Sequence, residues 1–284
     1  VDLNTLNVDV SQLEDALTPN TRMIVGVSIL GNPAALDVLQ DFADKHGLYF
    51  LEDNCESADA ELNGCKTGTF GDLNTFSFFF SHHIATMEGG MILTDDEELY
   101  HLTLSMRAHG WTRDLPKGSP IYETRDDDFF EAYRFILPGY NVRPSEMSGA
   151  IGLKQLEKLP AMTATRRENL TLFQSFFVND KRFIIQTENG KSSAFSFPII
   201  LNPGQNLDRE RVFSSLRDAD IGYRMITGGN ILRHDVIRHY DFEEVNEVVN
   251  ADTAHDYGFF VGNHPKDLSS QIETLWQVLD KACS

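Results

Sequence analysis

Two rhythms of apolar residues run through the first hundred positions. Arg22-Met23-Ile24-Val25-Gly26-Val27-Ser28-Ile29 is a short run with little alternation, which predicts a buried strand. Gly31-Asn32-Pro33 punctuates it. From Ala34 to His46 the spacing becomes helical, with Leu36, Leu39, Phe42 and Ala43 on one side and Gly47 as the stop. Leu48-Tyr49-Phe50-Leu51-Glu52 predicts a second buried strand. Strand, helix and strand with short connections make a βαβ unit, so the two strands are expected to pair in parallel. Residues 72–80 are strand-rich, Phe76, Phe78 and Phe80 alternating against Ser77 and Phe79. A further strand is expected over Gly90-Met91-Ile92-Leu93-Thr94. Thr94 is the expected cap of a helix running to about Ala108, with Glu97 completing a capping box.

Residues 111–133 break this rhythm. They are rich in Asp, Pro and Gly and include Arg125-Asp126-Asp127-Asp128, a long loop of the kind that is often functional. A helix is expected from Ser145, carrying Met147, Ile151, Leu156 and Leu159, and a second helical stretch to about Phe177. Strands over 183–186 and 194–201 and helices over 208–217 and 268–282 complete an α+β unit. No internal repeat or low-complexity tract interrupts the pattern. The chain is long enough to bury a substantial core, expected as one large and one smaller domain.

Composition narrows the partners. The formal net charge of −19 argues against nucleic acid and against an anionic membrane surface. It does not exclude a small anion, since local arginines can outweigh a global field. Three cysteines, Cys55, Cys65 and Cys283, form no Cys-x-x-Cys pair. A disulfide framework, a zinc ribbon and a four-cysteine iron–sulfur cluster are therefore not expected, no metal is expected, and a reducing cytoplasm fits. No apolar run is long enough to span a bilayer. The chain opens at Val1 without an initiator Met, and its first recognisable structure reads as the middle of an α/β domain. That leads to the expectation of a sizeable preceding N-terminal portion.

Candidate chemistry gathers at strand ends. Asp53 follows a predicted parallel strand, at the carboxyl edge where open α/β sheets bind ligands. A carboxylate buried there needs a cationic partner. By itself Asp53 is better read as a cap or turn residue. Glu56 alone would be a solvated glutamate, and Ser77 a satisfied strand serine. His82 and His83 are adjacent, so on an extended backbone they point apart and do not share a metal.

The segment Phe76-Ser77-Phe78-Phe79-Phe80-Ser81-His82-His83-Ile84-Ala85-Thr86-Met87-Glu88-Gly89-Gly90 resembles the cofactor-lysine segment of the DegT/StrS-type sugar aminotransferases. Asp53-Asn54-Cys55-Glu56 is similar to that family's Asp-x-Ala-Gln. Arg107-Ala108-His109-Gly110-Trp111-Thr112-Arg113 and Gly139-Tyr140-Asn141-Val142-Arg143, with Gln155-Leu156 behind, resemble two further elements. The resemblance covers nearly the whole chain.

It implies an α/β, aspartate-aminotransferase-like fold (PLP fold type I). Residues 1–140 would be the C-terminal portion of the large, mainly parallel, PLP-binding domain, and residues 141–284 the small C-terminal domain. It implies pyridoxal 5′-phosphate (PLP) or pyridoxamine 5′-phosphate (PMP) as cofactor. Asp53 would pair with the pyridine nitrogen, Glu56 would lie near the ring and Ser77 would bind the phosphate. Asn141 would reach the phosphate of a neighbouring subunit, hence a homodimer with shared sites. His109, Arg113, Arg143 and Arg224 are the expected substrate contacts, with the Gly228-Gly229-Asn230 turn beside them.

Two departures stand in one site. The family's lysine, six residues before the Glu of Glu-Gly-Gly, is His82 here, and no lysine lies between Lys66 and Lys117. The family's Gln is Glu56. An imidazole cannot hold a cofactor as a Schiff base, but it moves protons near neutral pH. The resemblance so altered implies loss of the C3 hydroxyl from a nucleotide-linked 4-keto-6-deoxyhexose, with GDP as the expected nucleotide and L-glutamate as amino donor. A transaminase, an iron–sulfur-type 3-dehydrase acting on CDP sugars and a non-catalytic relative stay open at this point.

Overall fold

The computed structural model describes residues 1–284. Its first half is built on β1 (Met23–Val27), α1 (Leu36–His46), β2 (Tyr49–Asp53), β3 (Leu73–Ser77), β4 (Gly90–Leu93) and α2 (Glu97–Met106). The strands pair in the order β1-β2-β3-β4. β1, β2 and β3 run parallel, as the βαβ reading requires, and β4 returns antiparallel against β3. Leu36, Leu39 and Ala43 turn the buried stripe of α1 onto Phe50 of β2. Gly26 makes room for that contact, since a Cβ there would sit 2.6 Å from Leu39 Cδ1. Gly47 adopts the left-handed conformation that closes α1, its N–H bonding Ala43 O.

β1 departs from the expectation of full burial. Met23, Val25 and Val27 are exposed, because α1 covers one face of this sheet and the other is open. The cap of α2 is Asp96, whose side chain accepts from Leu99 N–H; Thr94 instead accepts from Asp96 N–H. Asp96 sits one residue before the first helical position, which is where a capping oxygen can reach a free N–H. Residues 111–133 remain irregular apart from one short helical turn that begins at Asp128.

The second half contains α3 (Glu146–Leu156), α4 (Leu159–Phe177), β5 (Phe183–Ile185), β6 (Ser196–Leu201), α5 (Arg209–Asp218), β7 (Tyr223–Met225), α6 (Val249–Tyr257), β8 (Gly258–Gly262) and α7 (Ser269–Ala282). Its antiparallel sheet has the order β5-β6-β8-β7. The larger core lies here. Phe173, Phe177, Phe197 and Phe259 are almost wholly buried with Leu216, Ile272 and Leu279. α6, β7 and β8 had no clear sequence signal: β7 is three residues long, and β8 starts at a glycine directly after a helix. No helix is long and apolar enough to cross a membrane.

A short segment stitches the halves together. Ser192 Oγ donates to Gly31 O, Ser193 N–H donates to the same carbonyl, and Phe195 N–H donates to Leu30 O. Leu30 is left-handed, at φ 54°, and fully buried. That conformation turns its N–H to the Glu56 carboxylate and its carbonyl to Phe195. His83 adds a further tie through a ring nitrogen 3.1 Å from Ser193 O.

Burial pushes the His83 imidazole down to about 3, with nearby Arg166 adding to the effect. Its ordinary value is 6.5, so between these limits the unfolded chain binds the extra proton and stability falls as pH falls. Wild type is therefore expected to lose stability relative to His83→Gln as pH drops from 7 to 4.5, by up to about 1.4 kcal/mol per pH unit below 6.5. Denaturant unfolding of both proteins at the two pH values checks this. A difference that does not change with pH would contradict it.

Candidate active site

The parallel pairing fixes where Asp53 stands. It is the last residue of β2, flanked by Val27 of β1 and Thr75 of β3. Its Oδ1 accepts from the Cys55 N–H at 3.0 Å and the Thr75 hydroxyl at 3.2 Å, which leaves Oδ2 without a protein donor. Neighbouring Cys55 is no nucleophile: burial and the Asp53 carboxylate push its thiol up to about 12.

A cleft of about 730 Å³ opens between this edge and the C-terminal sheet. Glu56, His82 and Arg224 line it, and so do Arg166, Phe195 and His264. Glu56 Oε2 accepts the Leu30 N–H at 2.9 Å. Burial raises its carboxyl above the ordinary range; the Leu30 bond opposes that and the Asp53 charge adds to it.

His82 sits in the irregular connection between β3 and β4. The turn is closed by Phe78 N–H bonding Gly89 O and Thr86 N–H bonding Phe78 O. The Glu-Gly-Gly signature has a steric reason here. Gly90 faces Ser77 across the β3–β4 ladder, and a Cβ on it would lie 2.8 Å from Phe76 O. The His82 ring packs edge-on against Phe79 and Phe195, with Nδ1 buried and unpaired. Nε2 is thus the nitrogen open to the cleft. Partial burial lowers the imidazole below its ordinary value, while the Ser77 carbonyl and the Asp53 charge pull the other way. The Ser77 hydroxyl accepts the Phe79 N–H at 3.3 Å.

Glu56, His82 and Arg224 therefore share one cleft; Asp53 and Ser77 do not line it, but the charge of Asp53 and the carbonyl of Ser77 both act on His82. His109, Arg113, Asn141 and Arg143 form a second cluster that does not line it. His109 is left-handed, at φ 65°, with its N–H on Tyr140 O. The Arg113 guanidinium lies 4.4 Å from the Trp111 ring centroid, and Arg143 Nε donates to Asn141 Oδ1 at 3.0 Å. Strand-like bonds lace the two segments, Ile136 N–H to Gly110 O and Val142 N–H to Arg107 O. The Gly228-Gly229-Asn230 turn is held by the Asn230 N–H on His255 Nδ1.

Arg166, Phe195 and His264 were not singled out by the sequence. Arg166 did leave a signal, since it falls on the buried stripe of α4 with Leu159, Thr163, Phe173 and Phe177. Its guanidinium donates to Phe195 O and Asn263 O.

A protonated pyridine ring fits this edge. Asp53 keeps one carboxylate oxygen free for the ring nitrogen, and the field of the same carboxylate reaches His82.

Comparison with known proteins agrees. The chain matches the DegT/DnrJ/EryC1/StrS aminotransferase family over residues 1–279. It is 47% identical over 283 residues to a GDP-4-keto-6-deoxy-D-mannose 3-dehydratase of Yersinia pseudotuberculosis, which covers 99% of this chain and 72% of that protein. The structure of the E. coli GDP-4-keto-6-deoxy-D-mannose-3-dehydratase with bound hydrated PLP superposes with a TM-score of 0.94 at 46% identity, covering 98% of this chain and 72% of that one. A structure of GDP-4-keto-6-deoxymannose-3-dehydratase with a trapped PLP-glutamate geminal diamine gives a TM-score of 0.94 at 45% identity, covering 98% and 73%. The fold is the α/β fold of these PLP proteins.

His82 is expected to titrate below 6.5. NMR of histidine ring protons, assigned by the signal lost in His82→Asn, measures this. A value at or above 6.5 would contradict the partial burial described.

Proposed function

Because this chain belongs to the DegT/DnrJ/EryC1/StrS aminotransferase family, with histidine at its lysine position, we propose that it is a PLP-dependent nucleotide-sugar 3-dehydratase. The reaction is removal of the C3 hydroxyl from GDP-4-keto-6-deoxy-D-mannose, with L-glutamate as amino donor and 2-oxoglutarate and ammonia as products. The likeness to 3-dehydratases at 45–47% identity supports that substrate. His82 carries the reading: an imidazole open to the cleft through Nε2 stands where a transaminase needs an amine.

Bound cofactor in its amine form supplies an amine for the C4 ketone and a ring that accepts electrons. The chain's residues do the rest. Asp53 holds the pyridine nitrogen protonated through its free Oδ2, which strengthens the ring as electron acceptor. Ser77 would meet the phosphate, and Glu56, held by the Leu30 N–H, would lie near the ring. His82 takes a proton at Nε2 and returns it to the departing C3 hydroxyl. A general acid/base in this role supplies roughly 10²–10⁴-fold. With no lysine to recapture the cofactor, the sugar leaves by hydrolysis and ammonia is released.

Arg224 faces the cleft and binds substrate. His109, Arg113, Asn141 and Arg143 lie outside this chain's own cleft, so we assign them to the site of a second copy in a homodimer. The three rivals lose ground in turn. A transaminase lacks its lysine, an iron–sulfur enzyme lacks its cysteine cluster, and a non-catalytic relative has no use for a half-buried cleft histidine.

His82→Asn is expected to abolish dehydration, by 10²-fold or more, while PMP still binds. Undiminished dehydration would sink the assignment. Shared sites have their own test. Inactive His82→Asn and inactive Asn141→Ala, unfolded and refolded together, are expected to recover up to about a quarter of wild-type activity, since heterodimers contain one intact site. No recovery, with dimers formed, would place Asn141 outside the partner's site.

A further inference from the structure

Most catalytic histidines are oriented by a hydrogen bond to the second ring nitrogen, often from a carboxylate or carbonyl. His82 is different. Its Nδ1 is buried, and no protein atom makes a hydrogen bond of ordinary geometry with it. The Ser77 carbonyl approaches the imidazole without closing such a bond, and two aromatic rings pack against it. Phe79 meets the imidazole with ring centroids 5.8 Å apart at 73°, and Phe195 meets it from the other half of the molecule at 5.6 Å and 75°. Both geometries are the edge-to-face arrangement that aromatic rings prefer.

The two rings differ in how they are held. Phe79 belongs to the same irregular connection as His82, whose N–H bonds Phe79 O. Phe195 is anchored from three sides. Its N–H donates to Leu30 O at 3.2 Å, and its carbonyl accepts from Arg166 at 3.1 Å. The preceding residue, Ala194, is left-handed at φ 51°, with its carbonyl held by Asn263. The Phe195 ring also contacts His83 at 5.5 Å. Backbone strain at Ala194 and Leu30 persists only where surrounding bonds enforce it.

The geometry points to Phe195 as the positioning residue of the site: its ring, fixed from the C-terminal half, holds the His82 imidazole edge-on and shields Nδ1 so that Nε2 faces the reacting atoms. The inference rests on the proton-transfer role proposed for His82. It adds that orientation comes from packing, not from a partner carboxylate. The same ring is part of the packing that half-buries His82, and that burial lowers the imidazole. The other ionisable groups around the cleft are Asp53 at the end of β2, Glu56, His83, Arg166 on α4, Tyr223 and Arg224 on β7, and His264.

Phe195→Leu keeps apolar volume and removes the ring. In the holoenzyme kcat is expected to fall at least about 10-fold with KM changed less than 3-fold, since misplacing a catalytic group costs the chemical step first. The His82 titration, read by NMR, is expected to move up toward 6.5 as water reaches Nδ1. Phe195→Tyr, which preserves the ring, is expected to stay within about 3-fold of wild type in kcat with the titration unmoved. A folded Phe195→Leu protein with wild-type kcat and an unmoved titration would overturn the inference. So would a loss of kcat in Phe195→Leu with no change in the His82 titration, because that pattern signals a general structural role. The titration does not depend on turnover. A shift in Phe195→Leu together with an active His82→Asn enzyme would therefore refute the proton-transfer role and leave the clamp standing.

Discussion

Partial dehydration of one imidazole is the constraint from which the rest of the site follows. For the proton-transfer role proposed, His82 must stay neutral, yet the Asp53 charge and the Ser77 carbonyl favour its protonated form in a chain of net charge −19. Burial outweighs them and lowers the ring below its ordinary value. Glu56 answers the same burial in the opposite sense, its carboxyl pushed toward the neutral form. One dehydrated cleft thus lowers the imidazole and raises the carboxyl beside it.

The chain builds that cleft by closing two sheets over each other. The parallel sheet brings Asp53 to an edge. The antiparallel β3–β4 return carries the histidine loop back across it. The segment Ser192–Ser196 then closes over both from the C-terminal half. Leu30 is the hinge of this construction. In a left-handed turn it gives its N–H to Glu56 and its carbonyl to Phe195, so one residue sets the acid and the aromatic wall together. Gly31 follows it for a steric reason: a Cβ there would lie 2.6 Å from Phe195 N. Such a residue costs about 1–3 kcal/mol in backbone strain and persists only where its surroundings over-determine it.

Much of this was legible in the sequence. The βαβ unit, its parallel pairing and the Gly47 stop follow from apolar spacing and one glycine. The seat of Asp53 follows from strand-end logic, and the place of His82 between β3 and β4 from the family likeness of its segment. What escaped is physically coherent. Burial of β1 was misjudged because an apolar run does not reveal whether one face of its sheet is covered. β7 and β8 were invisible because three residues, or a strand starting at a glycine, carry no periodicity. Phe195 was unreadable because its role depends on a contact 113 positions away in sequence from His82, made by one phenylalanine among 20. Arg166 was readable in principle, as a charge on a helix's apolar stripe. The second cluster, with His109, Arg113, Asn141 and Arg143, was legible only through family likeness, since none of its residues lines the cleft.

Exchange of lysine for histidine is proposed to turn an amine-transferring site into one that removes a hydroxyl. The most direct test counts nitrogen. Holoenzyme is supplied with L-glutamate and GDP-4-keto-6-deoxy-D-mannose, and ammonia, 2-oxoglutarate and the mass of the sugar product are measured together. One ammonia is expected for each 2-oxoglutarate, with a sugar that has lost its C3 oxygen and gained no nitrogen. An amino sugar with no free ammonia would contradict it.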